Sequence, residues 1–125
     1  MALERPEEAR IAGASPELLD PVRGLFLLYP YLGLGTRARH CDWRYPRPTY
    51  GVIASRDHLG SPAIHEAAYE RARRSGYEVE TWLAEGTHAF DQPQEMLLSI
   101  SPMRRDLALT RQALDRFSGF LTARA

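Results

Sequence analysis

The stretch from Thr49 to Asp91, TYGVIASRDHLGSPAIHEAAYERARRSGYEVETWLAEGTHAFD, leaves this chain few ways to fold. Tyr50–Ala54 is a short apolar run that ends at Ser55-Arg56-Asp57, which predicts a strand and a turn. Ser61 can cap a helix whose first position is Pro62, where a missing N–H costs nothing. Ile64, Ala68 and Ala72 then share one face at helical spacing, and Gly76 ends the run. Tyr77–Leu83 predicts a second strand, with Val79 and Leu83 on one face and Glu78 and Glu80 on the other. It runs out into Glu85-Gly86-Thr87-His88. A strand, a helical crossover and a second strand form a right-handed parallel unit. Both strands then point the same way, and both following loops leave at one sheet edge. Asp57 follows the first strand and His88 the second, and neighbouring strands lie about 4.8 Å apart. A carboxylate beside an imidazole fixes its tautomer and stabilises its protonated form, as in the rear part of a nucleophilic triad. Two polar residues on a wet sheet edge would show the same spacing.

Ser55-Arg56-Asp57-His58-Leu59-Gly60-Ser61-Pro62, followed after a helix by Gly86-Thr87-His88-Ala89-Phe90-Asp91, resembles the C-terminal half of the dienelactone hydrolase family, a branch of the α/β-hydrolases. Members show a strand ending in an Asp-containing loop, a helix opening on proline, and a Gly-x-His-x-Phe segment. Their chain order is nucleophile, acid, histidine, with which Asp57 before His88 agrees. Upstream, GLFLLYPYLG (Gly24–Gly33) looks like the family's strand after the nucleophile helix, and the likeness extends from about Arg23 to Leu121. The resemblance implies an α/β chain with a partial α/β-hydrolase fold, about three parallel strands near Leu25–Tyr29, Tyr50–Ala54 and Tyr77–Leu83 with flanking helices. It further implies catalytic roles for Asp57 and His88 and a small-molecule ester or lactone as substrate; no cofactor or metal is expected.

The family's nucleophile sits on a tight Gly-x-Ser-x-Gly or Gly-x-Cys-x-Gly turn after a strand, with backbone amides forming an oxyanion hole. No residue here fits. Ser15, in Gly13-Ala14-Ser15-Pro16-Glu17, precedes a strand and has proline where an oxyanion amide belongs. Cys41 has no neighbouring glycine, and Ser55 lies on the acid's own loop. The expectation is an acid-and-histidine half whose nucleophile elbow lies outside this chain, the product of a truncated gene or a late start, inactive alone. Its rival is a non-catalytic module that kept the half-sheet for binding or self-association. The family's best-known members grip a substrate carboxylate with an arginine shortly after the histidine. Here Asp91 and Gln92 stand instead, which disfavours an anionic ligand.

Leu25–Leu28 is a continuous apolar run bracketed by Gly24 and Pro30, typical of a strand buried on both faces. With no nucleophile strand beside it, the Leu25–Tyr29 edge would be open, apolar and free of proline, inviting a homo-oligomer by pairing with a second copy unless Ala9–Leu19 folds over it. Tyr31–Pro48 is a long irregular connection in which Tyr31 and Trp43 either touch substrate or cover the sheet's end. A helical turn is expected at Glu95–Leu98. Ser101 and Pro102 then predict the start of a last helix. Its apolar stripe, Leu107, Leu114, Phe117 and Leu121, should dock on the sheet.

One domain spanning residues 1–125 suits this length, with a flexible segment at 1–10. Sixteen basic and sixteen acidic side chains cancel, so charge gives no reason to expect nucleic acid as a partner. No apolar run approaches the ~20 residues that span a bilayer, so no membrane partner is expected. A single cysteine and a charged N-terminus without an apolar signal segment point to the cytoplasm. His40, Cys41 and Asp42 are consecutive and cannot converge on one metal ion. His58 and His65 read as solvated or capping side chains. Arg71, Arg73 and Arg74 suit a helix C-terminus.

Overall fold

A computed structural model describes residues 20–32, 36, 43, 47–94 and 101–125. Five elements follow in order: β1 (Leu25–Leu28), β2 (Thr49–Arg56), α1 (Pro62–Arg74), β3 (Val79–Thr87) and α2 (Leu107–Thr122). The strands form one parallel sheet in the order β1-β2-β3. Expectations placed on Ala9–Leu19, Ser15, His40–Asp42 and Glu95–Leu98 lie outside the described residues.

Strand alternation distributes the core between two faces. Phe26, Leu28, Tyr50, Val52, Trp82 and Ala84 point toward α2, where Phe90, Leu109, Ala113 and Phe120 complete one cluster. Leu27, Ile53 and Val79 point toward α1 and meet Tyr69 and Ala72, with Trp43 and Tyr77 alongside. Val52, Ile53, Tyr69 and Phe90 are fully buried, each aliphatic or aromatic side chain contributing about 1.5–3 kcal/mol.

The crossover forms as the sequence reading has it. Ser61 occupies the N-cap position in an extended conformation, although its hydroxyl makes no capping bond, and Pro62 takes the first turn. Arg71, Arg73 and Arg74 fill the last turn, where positive charge suits the helix dipole. Arg73 also clips the helix end to β3, donating to the Val79 carbonyl at 3.0 Å and the Thr81 hydroxyl at 2.9 Å. Gly76 then reverses the chain at φ 87°, a left-handed conformation that glycine adopts without steric cost.

Four expectations are corrected. β3 starts two residues later than Tyr77 and runs to Thr87, so Glu85-Gly86-Thr87 are strand, and Leu83 is 52% exposed because β3 is an edge among the described strands. β1 is half-buried instead of fully buried, for the same reason at the other edge. The last helix begins at Leu107, not Pro102. Its cap is Asp106, whose carboxylate accepts from the Leu109 amide at 2.9 Å, and Ser101 instead accepts from the Met103 amide in a local turn. The segment before the helix is held extended by bonds to the sheet. The Arg104 amide donates to the Thr87 hydroxyl (2.8 Å), and the Asp106 amide donates to the Phe90 carbonyl (2.8 Å).

The fourth correction concerns which face of α2 is inside. Leu107, Leu114 and Leu121 are exposed by 64, 60 and 52%, Phe117 alone of the stripe packs on the sheet, edge-on to Phe26 at 5.1 Å, and Leu109, Ala113 and Phe120 are buried. At 3.6 residues per turn the buried row lies roughly a third of a turn from the expected stripe. Glycines in the sheet layer explain the choice. A Cβ on Gly86 would lie 2.4 Å from Leu109 Cδ2, and one on Gly24 would lie 2.9 Å from Phe120 Cζ. The helix turns inward the side chains that those two gaps accept.

Candidate active site

β2 and β3 pair residue for residue from Thr49↔Val79 to Ala54↔Ala84, and then the register slips, so that Arg56 pairs with Thr87. β2 advances two residues where β3 advances three, a β-bulge at Glu85-Gly86. The Arg56 guanidinium donates to the Glu85 carbonyl at 3.1 Å, supplying a partner at the irregularity. The slip has a chemical consequence. In unbroken register Asp57 would stand opposite Thr87, whereas after the bulge it stands opposite His88. A one-residue shift also exchanges the faces to which side chains point.

The two side chains meet. His88 Nδ1 lies 2.8 Å from Asp57 Oδ2, with the carboxylate side chain almost fully buried and the imidazole 16% exposed. The other carboxylate oxygen, Oδ1, accepts from the Leu59 amide (2.8 Å) and the Gly60 amide (3.3 Å). These bonds hold the carboxylate plane and leave Oδ2 for the imidazole. Since a carboxylate only accepts, the shared proton belongs to Nδ1 and the lone pair of the neutral ring to Nε2. Among the described residues none hydrogen-bonds to Nε2, which leaves it available as a base.

The surrounding wall was less legible. Tyr29, at the end of β1, lays its ring edge-on to His88 with centroids 4.7 Å apart and to Phe90 at 5.3 Å. Its hydroxyl donates to Asp91 Oδ1, and Gln92 donates to Asp91 Oδ2 at 3.3 Å. Burial, reinforced by that bond and by the Asp91 charge, pushes the phenol above its ordinary range and keeps it a donor. Asp91 is thus engaged by the wall of the site. Tyr29 and Ala89 are the described non-glycine residues with positive φ, 34° and 60°, and they lie against and directly after His88. Left-handed conformations cost a side-chain-bearing residue about 1–2 kcal/mol. The folded surroundings hold that strain beside the imidazole, the kind of place where strain is commonly found.

The remaining candidates fall elsewhere. Trp43 packs edge-on to Tyr69 and near Tyr77, and its carbonyl accepts from the Tyr77 hydroxyl. Because Tyr77 precedes β3, this is the sheet end opposite His88, so Trp43 covers the core and does not line the site. Tyr31 is half-exposed. Ser55 is a strand residue, and His58 is exposed with its ring 6.5 Å from that of His88. His65, expected to be solvated or capping, is fully buried. Its ring nitrogens face two carbonyl oxygens, an arrangement helical spacing could not reveal. Among the described residues no three His, Cys, Asp or Glu side chains converge as metal ligands, and no helix is long and apolar enough to cross a membrane.

No family model, no curated protein and no solved structure matches the chain. A buried carboxylate and a tautomer-fixed imidazole, its Nε2 without a partner among the described residues, form an acid–base pair at the C-terminal edge of a parallel sheet. Ligands of open α/β sheets bind at this edge.

Proposed function

We propose that the chain is the acid-and-histidine half of a carboxylic ester or lactone hydrolase of the dienelactone hydrolase type. The observation that carries this reading is the 2.8 Å contact between His88 Nδ1 and Asp57 Oδ2, with Nε2 unengaged among the described residues. In such an enzyme Nε2 takes the proton of a serine hydroxyl or cysteine thiol as that atom attacks the ester carbonyl. The imidazolium then gives the proton to the departing alkoxide, and Asp57 stabilises the ring's positive charge in between. Among the described residues no serine hydroxyl bonds to His88, and on this reading the nucleophile and oxyanion amides are supplied by sequence other than this chain. Asp91 in the wall favours a neutral ester or lactone over an anionic one.

The purified chain is expected to hydrolyse p-nitrophenyl acetate no faster than imidazole-bearing peptides of equal concentration. Joined to whatever sequence is encoded upstream of Met1, it should show saturable turnover that His88→Ala lowers by at least ~10²-fold, the contribution typical of a general base. Saturable turnover of the chain alone, abolished by Ser15→Ala or Cys41→Ala, would overturn the assignment of the missing nucleophile. An upstream stop codon, with no turnover by any longer product, would sink the hydrolase reading.

A second reading, a non-catalytic module acting in binding or self-association, is favoured by one observation. Among the described residues β1 is a sheet edge, and Leu114 and Phe117 of α2 line an apolar groove with Phe26 and Leu28 of that strand. On this reading a homo-oligomer forms through the Leu25–Tyr29 edge.

A further inference from the structure

We infer that His65 is a positioning residue for the Asp57–His88 pair, its buried ring tying the turn after β1 to the loop that presents Asp57. The ring is fully buried in the first turns of α1. Nε2 lies 2.7 Å from the Pro30 carbonyl and Nδ1 lies 3.1 Å from the Ser61 carbonyl. Carbonyl oxygens only accept, and a neutral imidazole donates from one nitrogen. The shorter contact is met by the Nε2–H form, and both contacts are met by the doubly protonated ring. In the Nε2–H form the ring, carried on α1, ties Pro30 to the helix that Ser61 opens, and the doubly protonated ring adds a bond to the Ser61 carbonyl.

Each segment is one wall of the site. Pro30 follows Tyr29, whose ring lies 4.7 Å from that of His88. Ser61 closes the Asp57–Ser61 loop, in which the Leu59 and Gly60 amides bond to Asp57 Oδ1. Gly60 is also fitted to the ring, since a Cβ there would come within 3.0 Å of His65 Cε1. Force applied by His65 therefore reaches Asp57 through Gly60 and reaches His88 through Pro30 and Tyr29. A phenylalanine would fill the volume and donate nothing, whereas a glutamine would keep an N–H for one of the carbonyls.

The inference rests on the reading of the pair as a working acid and base, but its test reads geometry and not turnover. The His88 Nδ1–H proton bonded to Asp57 is followed by ¹H–¹⁵N NMR in the wild type, His65→Phe and His65→Gln, with circular dichroism reporting the fold. In His65→Phe this proton should exchange with water about tenfold faster or vanish by broadening, and His65→Gln should restore it. A folded His65→Phe whose His88 proton exchanges at the wild-type rate would overturn the inference. Should His65→Phe not fold, the wild-type His65 Nε2–H decides. Exchange about tenfold slower than in free imidazole supports the tie to Pro30, and exchange at the free rate refutes it. Failure of the hydrolase reading would show as absent turnover in the extended protein with these signals intact.

Discussion

Beneath α1 the sheet is closed so tightly that a methyl group on Gly51 would lie 2.4 Å from Tyr69 Cζ, and Tyr69, Ile53 and Ala72 are buried. Beneath α2 the other face leaves a groove of about 240 Å³ lined by Phe26, Leu28, Ala113, Leu114 and Phe117, with Asp91 and Thr110 at its polar side. The two faces use the same strands and the same alternation, so propensity does not separate them. They differ in what each helix brings. α1 inserts a full aromatic ring where a glycine makes room, while α2 inserts the tip of a leucine and the edge of a phenylalanine and leaves Leu107, Leu114 and Leu121 more than half exposed. A face closed by interlocked rings carries stability. A face with apolar surface to spare offers contact to something else.

That contrast predicts a graded response to added volume. Gly51→Ala forces a methyl into the Tyr69 ring, between β2 and a helix that cannot retreat without losing Ala72 and Ile53. It should cost about 2–3 kcal/mol of stability, the upper part of the range for overpacking, measured by urea denaturation. A loss under ~0.5 kcal/mol would show that the α1 face is looser than its geometry implies.

Gly86→Ala meets an equally short approach, 2.4 Å to Leu109 Cδ2, but that atom is the end of a flexible side chain under a helix with open space on one flank. The expected cost is smaller, about 1 kcal/mol. A loss equal to that of Gly51→Ala would erase the difference between the faces.

Tyr69→Phe probes the closed face by subtraction. Among the described residues the buried Tyr69 hydroxyl has no hydrogen-bond partner, and burial, with the Glu66 charge second, pushes its phenol above the ordinary tyrosine range. Removing it should leave stability unchanged at neutral pH or raise it by up to ~1 kcal/mol. The pH dependence follows in sign. Because the folded-state value is the higher one, protons leave the unfolded chain first. Stability is complete below about pH 10 and falls as pH rises above it. Tyr29 shifts in the same direction, so Tyr69→Phe should flatten part of this alkaline loss and the double change with Tyr29→Phe should flatten more. An alkaline limb identical in wild type and double variant would refute the assignment.

The smallest effect on stability belongs to the open face. Leu114→Glu with Leu121→Glu replaces exposed side chains and should change stability by no more than ~0.5 kcal/mol. In sedimentation equilibrium the same pair should shift the chain toward monomer if β1 and this stripe form the self-association surface. A wild-type chain that stays monomeric at high concentration would remove that role from the open face.

Much of this architecture is legible in residue order. Ser61-Pro62 and Gly76 bracket α1, and the crossover they bound requires parallel strands with Asp57 and His88 at one edge. The site's wall was harder to read. Tyr29 belongs to it because its left-handed backbone turns the ring onto His88, and no local pattern announces that turn. His65 reads as a surface or capping histidine because its partners are backbone carbonyls, one of them on Pro30, and carbonyls leave no trace in side-chain periodicity. Ser101-Pro102 carries a helix-start signature, yet the bonds from Arg104 to Thr87 and from Asp106 to Phe90 hold that segment extended and move the start to Leu107.

By itself the sequence determined that strands and a helix alternate, that β2 and β3 run parallel, and that Asp57 and His88 leave the sheet together. These follow from spacing of apolar residues and from caps, whose causes lie within a few residues of one another. Only the tertiary structure decided that the bulge at Glu85-Gly86 advances β3 by one residue and sets His88 opposite Asp57. It alone decided, too, that α2 buries Leu109, Ala113 and Phe120 in place of the larger stripe. Both outcomes depend on partners distant in sequence: Arg56 across the bulge, and the gaps left by Gly24 and Gly86 under the helix. Periodicity tells which side chains share a face, but complementarity between surfaces tells which face turns inward.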